Sequence, residues 1–143
     1  MSLHFTNQSG IIPNFGRTLL KATDWKTDGT DAGTVLVKDI NAGTVSSSPL
    51  NLVNVNNSLF FTAATAANGI ELWNTDGTDA GTLLVKDINA GTTNTTFQNI
   101  TAFGSLLLFS AIDAVNGQEI WKSDGTEAGT VIIKDLNPGT GSG

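Results

Sequence analysis

Cysteine is absent from this 143-residue chain, which excludes a disulfide framework, a cysteine-ligated zinc site and a thiol nucleophile. Charged residues are scarce, at 14% of the sequence, and only seven are Lys or Arg. These seven are scattered, and the formal net charge is −6, so no basic surface is available for nucleic acid or an acidic membrane. No apolar run approaches the roughly 18 residues of a membrane-spanning helix. We therefore expect neither nucleic-acid binding nor membrane insertion.

Threonine, glycine and asparagine are abundant instead, with 20, 16 and 14 residues respectively. Threonine favours strands, whereas glycine and asparagine favour tight turns. This composition predicts β-structure with many short connections.

A tandem repeat dominates the sequence. Trp25, Trp73 and Trp121 follow one another at intervals of 48 residues. The 21-residue windows that begin two residues before the first two tryptophans agree at 17 positions, and the third window agrees with the second at 12. Periods of about 40 to 50 residues are typical of propeller blades or helical solenoids. Helical repeats would need apolar residues at a spacing of 3.6 and few glycines, and neither is present.

Each repeat contains four short apolar segments separated by turn residues. The middle copy predicts strands at 51–55, 58–63, 70–75 and 82–88, and the third at 100–103, 105–111, 118–123 and 130–136. Residues 89–98 are predicted to connect these two copies. Four strands in about 48 residues match one blade of a β-propeller, so the sequence predicts an all-β propeller. A two-layer sandwich is the alternative.

The predicted organisation is a single repeat domain over residues 1–143 that contains three blades. A degenerate first blade spans 1–48, and regular blades span 49–96 and 97–143. Propellers need four to eight blades. We therefore expect oligomerisation to complete the ring: a homodimer closing six blades, with the irregular residues 1–23 at each junction. The ending Gly141-Ser142-Gly143 leaves open that this is an excised or engineered piece of a longer array.

The stretch 71–78 (ELWNTDGT) resembles the signature of the bacterial ELWxxDGT-repeat family at every defined position. Residues 119–126 (EIWKSDGT) depart from it at one position and residues 23–30 (TDWKTDGT) at two. The resemblance implies propeller-like blades, no common catalytic activity, and a place in large bacterial surface or secreted proteins. A signal-peptide pattern is not visible in residues 1–10.

The repeated tryptophans Trp25, Trp73 and Trp121 are the first candidates for ligand binding, as aromatic platforms for sugars. The favoured interpretation is that each tryptophan fills the space between adjacent blades, because one role in every repeat is typical of a scaffold.

The aspartates Asp28, Asp76 and Asp124 are the second candidates, because each shares a glycine-containing loop with another acid three residues later. Such loops can bind calcium. The favoured interpretation is turn formation, since an aspartate before glycine bonds nearby backbone N–H groups through its own side chain.

The pairs Lys38-Asp39, Lys86-Asp87 and Lys134-Asp135 end the fourth strand of each repeat. There we expect them to keep an exposed sheet edge soluble.

Catalysis has little support in the sequence. His4 is the only histidine, no phosphate-binding GxxxxGK[ST] motif is present, and the acids recur in each repeat as scaffold residues do. The sequence predicts a non-enzymatic structural or interaction module that assembles with itself and needs no metal or cofactor. The alternative is a lectin-like propeller with one pocket per blade, and a glycan or protein ligand stays open.

Overall fold

The computed structural model describes residues 24–136 and 138–139. Every regular element in this part is a strand, and the strands form antiparallel sheets of two, four and four. Their bounds are β1 (Asp24–Lys26), β2 (Val35–Lys38), β3 (Leu50–Val55), β4 (Ser58–Thr65), β5 (Gly69–Thr75), β6 (Leu83–Lys86), β7 (Thr96–Phe103), β8 (Leu106–Asp113), β9 (Gly117–Ser123) and β10 (Val131–Lys134). The all-β prediction is thereby confirmed. Residues 1–23, with His4 and the predicted junction segment, lie outside the described residues.

Each four-stranded sheet is a meander in which neighbours in sequence pair side by side, β3-β4-β5-β6 and β7-β8-β9-β10. The first sheet is β1-β2, the second is β3–β6 and the third is β7–β10. No helix in the described part has the length and hydropathy to cross a bilayer.

The predicted fourth strands are wrong at their ends, because β6 and β10 are shorter than expected. The cause is visible at Ile88, whose N–H donates to Oε2 of Glu71 at 2.9 Å and not to a strand partner. The predicted connection 89–98 is also too long, since β7 begins at Thr96.

The hairpin turns follow from residues that tolerate left-handed backbone. Asn56 and Asn57 join β3 to β4 with φ of 48° and 66°, and two positive φ angles match the twist of a two-residue hairpin. Gly69 and Gly117 start β5 and β9 with φ of 67° and 72°. Asparagine and glycine adopt such angles at little cost, which makes the connections short.

The sheets pack face to face. Phe60, Leu72 and Val85 of the second sheet contact Leu107, Phe109, Ala111 and Trp121 of the third in one buried cluster. A smaller cluster joins the segment that follows β2 to the second sheet, where Ile40 packs against Phe61, Ala63 and Trp73. We call the contact of the first and second sheets the first seam, and that of the second and third sheets the second seam.

The turn between β5 and β6 is built around Asp76. Its Oδ1 accepts hydrogen bonds from the N–H and the hydroxyl of Thr78, at 2.9 and 2.7 Å. The Thr78 hydroxyl in turn accepts from the N–H of Gly81 at 3.0 Å. A Cβ at Gly81 would overlap the Asp76 carboxylate, so this glycine is required for space, and Gly33 and Gly129 stand in the same relation to Asp28 and Asp124.

Replacing Gly81→Ala should lower the free energy of unfolding by about 2 kcal/mol, because the new methyl group displaces the Asp76 carboxylate. Urea denaturation measures this change. In an Asp76→Ala background the same replacement should cost little, since the clashing group is gone. Equal costs in both backgrounds would contradict the explanation.

Candidate functional site

The three candidate aspartates make the same contacts in each repeat. Asp28, Asp76 and Asp124 each accept from the hydroxyl and N–H of the threonine two residues later, at 2.7 and 2.9 Å. The hydroxyl bond and then the N–H bond hold the pKa of each carboxyl below its usual value of 3.8. These aspartates are therefore ionised at neutral pH and organise their own turns.

The calcium alternative requires several oxygen ligands that converge. Within residues 24–136 and 138–139, no group of three or more acidic, histidine or cysteine side chains is placed to hold a metal ion. The Oδ1 atoms of the three aspartates already accept two hydrogen bonds each.

The candidate tryptophans lie in two different environments. Trp73 and Trp121 are 8% and 6% exposed and belong to the first and second seams. The Trp121 ring stacks on Phe109, with centroids 6.3 Å apart and planes 15° apart. Trp25, in the first sheet, is 38% exposed. The structure thus brings each buried tryptophan to apolar side chains.

A glutamate that the sequence analysis missed is buried on the face of β5 that also carries Trp73. Glu71, on β5, is fully buried. Its Oε1 accepts from the hydroxyl of Thr95 at 2.6 Å, and its Oε2 from the N–H of Ile88 at 2.9 Å. Thr95 lies on the segment that leads into β7, and its N–H donates to the carbonyl of Ile70 at 2.9 Å. Glu71 therefore ties the end of one sheet to the start of the next.

Burial raises the pKa of Glu71 to about 7, because the low-dielectric surroundings penalise the charged carboxylate more than the hydrogen bonds from Thr95 and Ile88 stabilise it. The protein can thus take up a proton at this position near neutral pH.

Side-chain donors also cross both seams to backbone carbonyls. At the first seam, Lys26 Nζ donates to the carbonyl of Gly77 at 2.9 Å. At the second, Asn74 Nδ2 donates to the carbonyl of Gly125 at 3.2 Å. Both bonds span 51 residues, and positions 26 and 74 are equivalent in the repeat. The same contact is therefore made by a lysine in one repeat and by an asparagine in the next.

The strand-ending lysines make a second set of crossings. Lys38 Nζ donates to the carbonyls of Asp79 and Thr82 at 3.0 and 2.9 Å, and lies 3.8 Å from Oδ1 of Asp79. Lys86 Nζ donates to the carbonyl of Glu127 at 3.4 Å. Lys38 and Lys86 therefore bind the neighbouring sheet, which the expected role of keeping a sheet edge soluble does not include.

A cleft of about 440 Å³ lies beside the segment that follows β6. Its lining includes Ile88, Asn89, Thr93, Asp113, Val115 and Asn116. Asn89 donates to the carbonyl of Ile112 at 2.8 Å and accepts from the N–H of Ala114 at 2.9 Å. Asp113 accepts from the N–H of Val115 and from the side-chain amide of Asn116. Asn89 and Asp113, two of the polar residues in the lining, thus already form hydrogen bonds inside the protein.

The chain was also compared with known proteins. Models of protein families, curated proteins and solved structures all gave no match. Inference about function therefore depends on the repeat and on the contacts of the described residues.

The contribution of Glu71 to the unfolding free energy should be largest below pH 4.5 and should be lost as the pH rises from there through about 7. The reason is that the folded protein binds a proton at Glu71 that the unfolded chain, with a pKa near 4.5, has already released. The expected loss is up to about 3 kcal/mol, measured by urea denaturation at one fixed protein concentration.

The Glu71→Gln variant should lack this pH dependence, because it cannot ionise. Glu127→Gln is the matched control, since it removes the same charge from an exposed side chain and should keep the fall. A fall of equal size in both variants would refute the role of Glu71.

Proposed function

We propose that this chain is a non-catalytic β-propeller repeat module that serves as a structural or interaction scaffold, as its resemblance to ELWxxDGT repeats implies. Each sheet corresponds to one blade. Three blades are too few to surround a channel, whereas two chains supply six, which is within the usual range of four to eight. The proposed assembly is a homodimer that forms one closed ring.

The observation that carries this proposal is a difference between equivalent positions of the second and third sheets. Leu72 and Val85 are 0% and 3% exposed, because the third sheet packs on them. The residues 48 positions later, Ile120 and Ile133, are 51% and 52% exposed, and Phe103, 48 positions after the buried Val55, is 67% exposed. A face that is buried in one repeat is therefore exposed in the next, and exposed apolar faces of this kind mark interaction sites.

The two faces of the third sheet support the same proposal. The third sheet carries both kinds of face: one that covers the second sheet, and one equivalent to the face it covers. The exposed face of the third sheet is equivalent to the face of the second sheet that binds the third. Such a face is suited to bind a sheet of another copy of the chain.

The lectin-like alternative draws less support from the contacts. It needs an accessible aromatic platform in each repeat, but Trp73 and Trp121 are buried between sheets. Saturable binding of a sugar on a glycan array, repeated by calorimetry, would favour the alternative over the scaffold.

Light scattering after size exclusion should give a mass close to twice 14.9 kDa. The Ile120→Lys variant should elute as a single chain, because a lysine on the exposed face would have to be buried without a partner in the dimer. The matched control is Leu83→Lys, at a residue that is 55% exposed on the second sheet although that sheet has a neighbour on both faces. The control should keep the doubled mass. A wild-type mass of one chain would contradict the ring.

A further inference from the structure

Two sets of side chains cross the seams with fixed spacing. Position 26 and its equivalent 74 donate to a carbonyl 51 residues later, and the lysines at 38 and 86 donate to a carbonyl 41 residues later. Both acceptors lie in the glycine-containing turn of the following sheet. The seams therefore have a repeated polar pattern in addition to the apolar one.

The third sheet has the donors of this pattern without its acceptors. Lys122 and Lys134 are the residues equivalent to Asn74 and Lys86. Neither ammonium donates a hydrogen bond within residues 24–136 and 138–139. Lys122 lies two residues after Ile120 on β9, so the two side chains are on the same, exposed face.

The first sheet has the acceptors. Its turn, residues 28–34, is equivalent to the turns that receive Lys26 and Lys38 at the first seam. Continuing the 48-residue period from the third sheet onto a second copy places Gly29 opposite Lys122, and Asp31 and Thr34 opposite Lys134. Asp79 shows that one such carbonyl can accept twice, since it takes bonds from Lys38 and from the N–H of Thr82.

We infer that Lys122 and Lys134 form a directional binding site for the turn 28–34 of a second copy of this chain, and that their ammonium groups donate to the carbonyls of Gly29, Asp31 and Thr34 of that copy. This inference rests on the proposed function and names the contacts that orient the seam. The first seam supports the charge complementarity, since Lys38 lies 3.8 Å from a carboxylate oxygen of Asp79 and Asp31 is the equivalent of that aspartate.

An independent observation shows that the third sheet lacks a contact which the second has. Glu119 is the equivalent of Glu71 and is 2% exposed, but its Oε1 is buried and has no hydrogen-bond partner among residues 24–136 and 138–139. In the second sheet this acceptor is filled by the hydroxyl of Thr95, from the segment leading to the next sheet. The residue 48 positions after Thr95 is Gly143, which has no hydroxyl. The third sheet therefore lacks, among the described residues, the hydroxyl contact that the second sheet makes.

The direction of the seam can be tested by complementation. Ile120→Lys blocks the exposed face of the third sheet. Leu36→Lys blocks the first sheet at a residue that is 45% exposed and equivalent to Leu84, which packs towards the preceding sheet. Each variant alone should be a single chain, and an equimolar mixture should form a heterodimer through its one intact seam. A doubled mass for the wild type with no association in the mixture would overturn the directional seam and leave the proposed assembly standing. A wild type of single-chain mass would instead refute the assembly itself.

The two lysines can be tested in the full-length chain. The double variant Lys122→Met and Lys134→Met should raise the dimer dissociation constant about tenfold, measured by analytical ultracentrifugation. The wild-type constant should rise with salt, whereas that of the double variant should respond much less. Replacing both lysines by arginine is the matched control, because arginine keeps the charge and the donors, and should restore most of the affinity. An unchanged constant and salt response in the methionine variant would overturn the assignment.

Discussion

Each four-stranded sheet of this protein has apolar side chains on both of its faces, and the remaining architecture depends on that constraint. Leu72 and Trp73 are consecutive residues of β5 and point to opposite faces, yet both are buried. An isolated sheet would expose both of these faces to water. A neighbouring sheet stabilises such a sheet by burying one of its faces, so each repeat depends on the next for its core.

The polar groups are placed where they do not interrupt the apolar seams. Asp76 and Thr78 bond each other within their turn, and Lys38 reaches backbone carbonyls at the margin of the sheet. Glu119 and Glu71 are exceptions, since both are buried, and burial raises the pKa of Glu71. Its two hydrogen bonds hold the end of one sheet and the segment that leads into the next, which fixes where the chain crosses.

The sequence predicts the strands and turns well because their causes are local. Asn56 and Asn57 indicate a hairpin through their tolerance of positive φ, and the alternation around them indicates strands. The lysine and glutamate contacts could not be predicted in the same way. Lys26 and Lys38 bind backbone carbonyls, which every residue carries, so the sequence of the acceptor contains no signal.

Local sequence patterns also do not predict which apolar residues are exposed. Leu72 and Ile120 are similar residues at the same position of the repeat, but only Ile120 is exposed. The difference arises from the neighbouring sheet and not from the residue. The 48-residue comparison could have pointed to Glu71 through Glu119, because a glutamate among the apolar residues of a strand is unusual.

The constant spacing of the seam contacts has a consequence for how such a chain can change in length. A donor and its acceptor lie 51 or 41 residues apart, so each repeat contains the donors for one seam and the acceptors for another. A tandem duplication of any 48-residue segment therefore copies both halves of the contact together and creates no mismatched boundary. Unequal recombination between repeats can add or remove whole sheets, whereas an insertion of another length would disturb every contact that spans it.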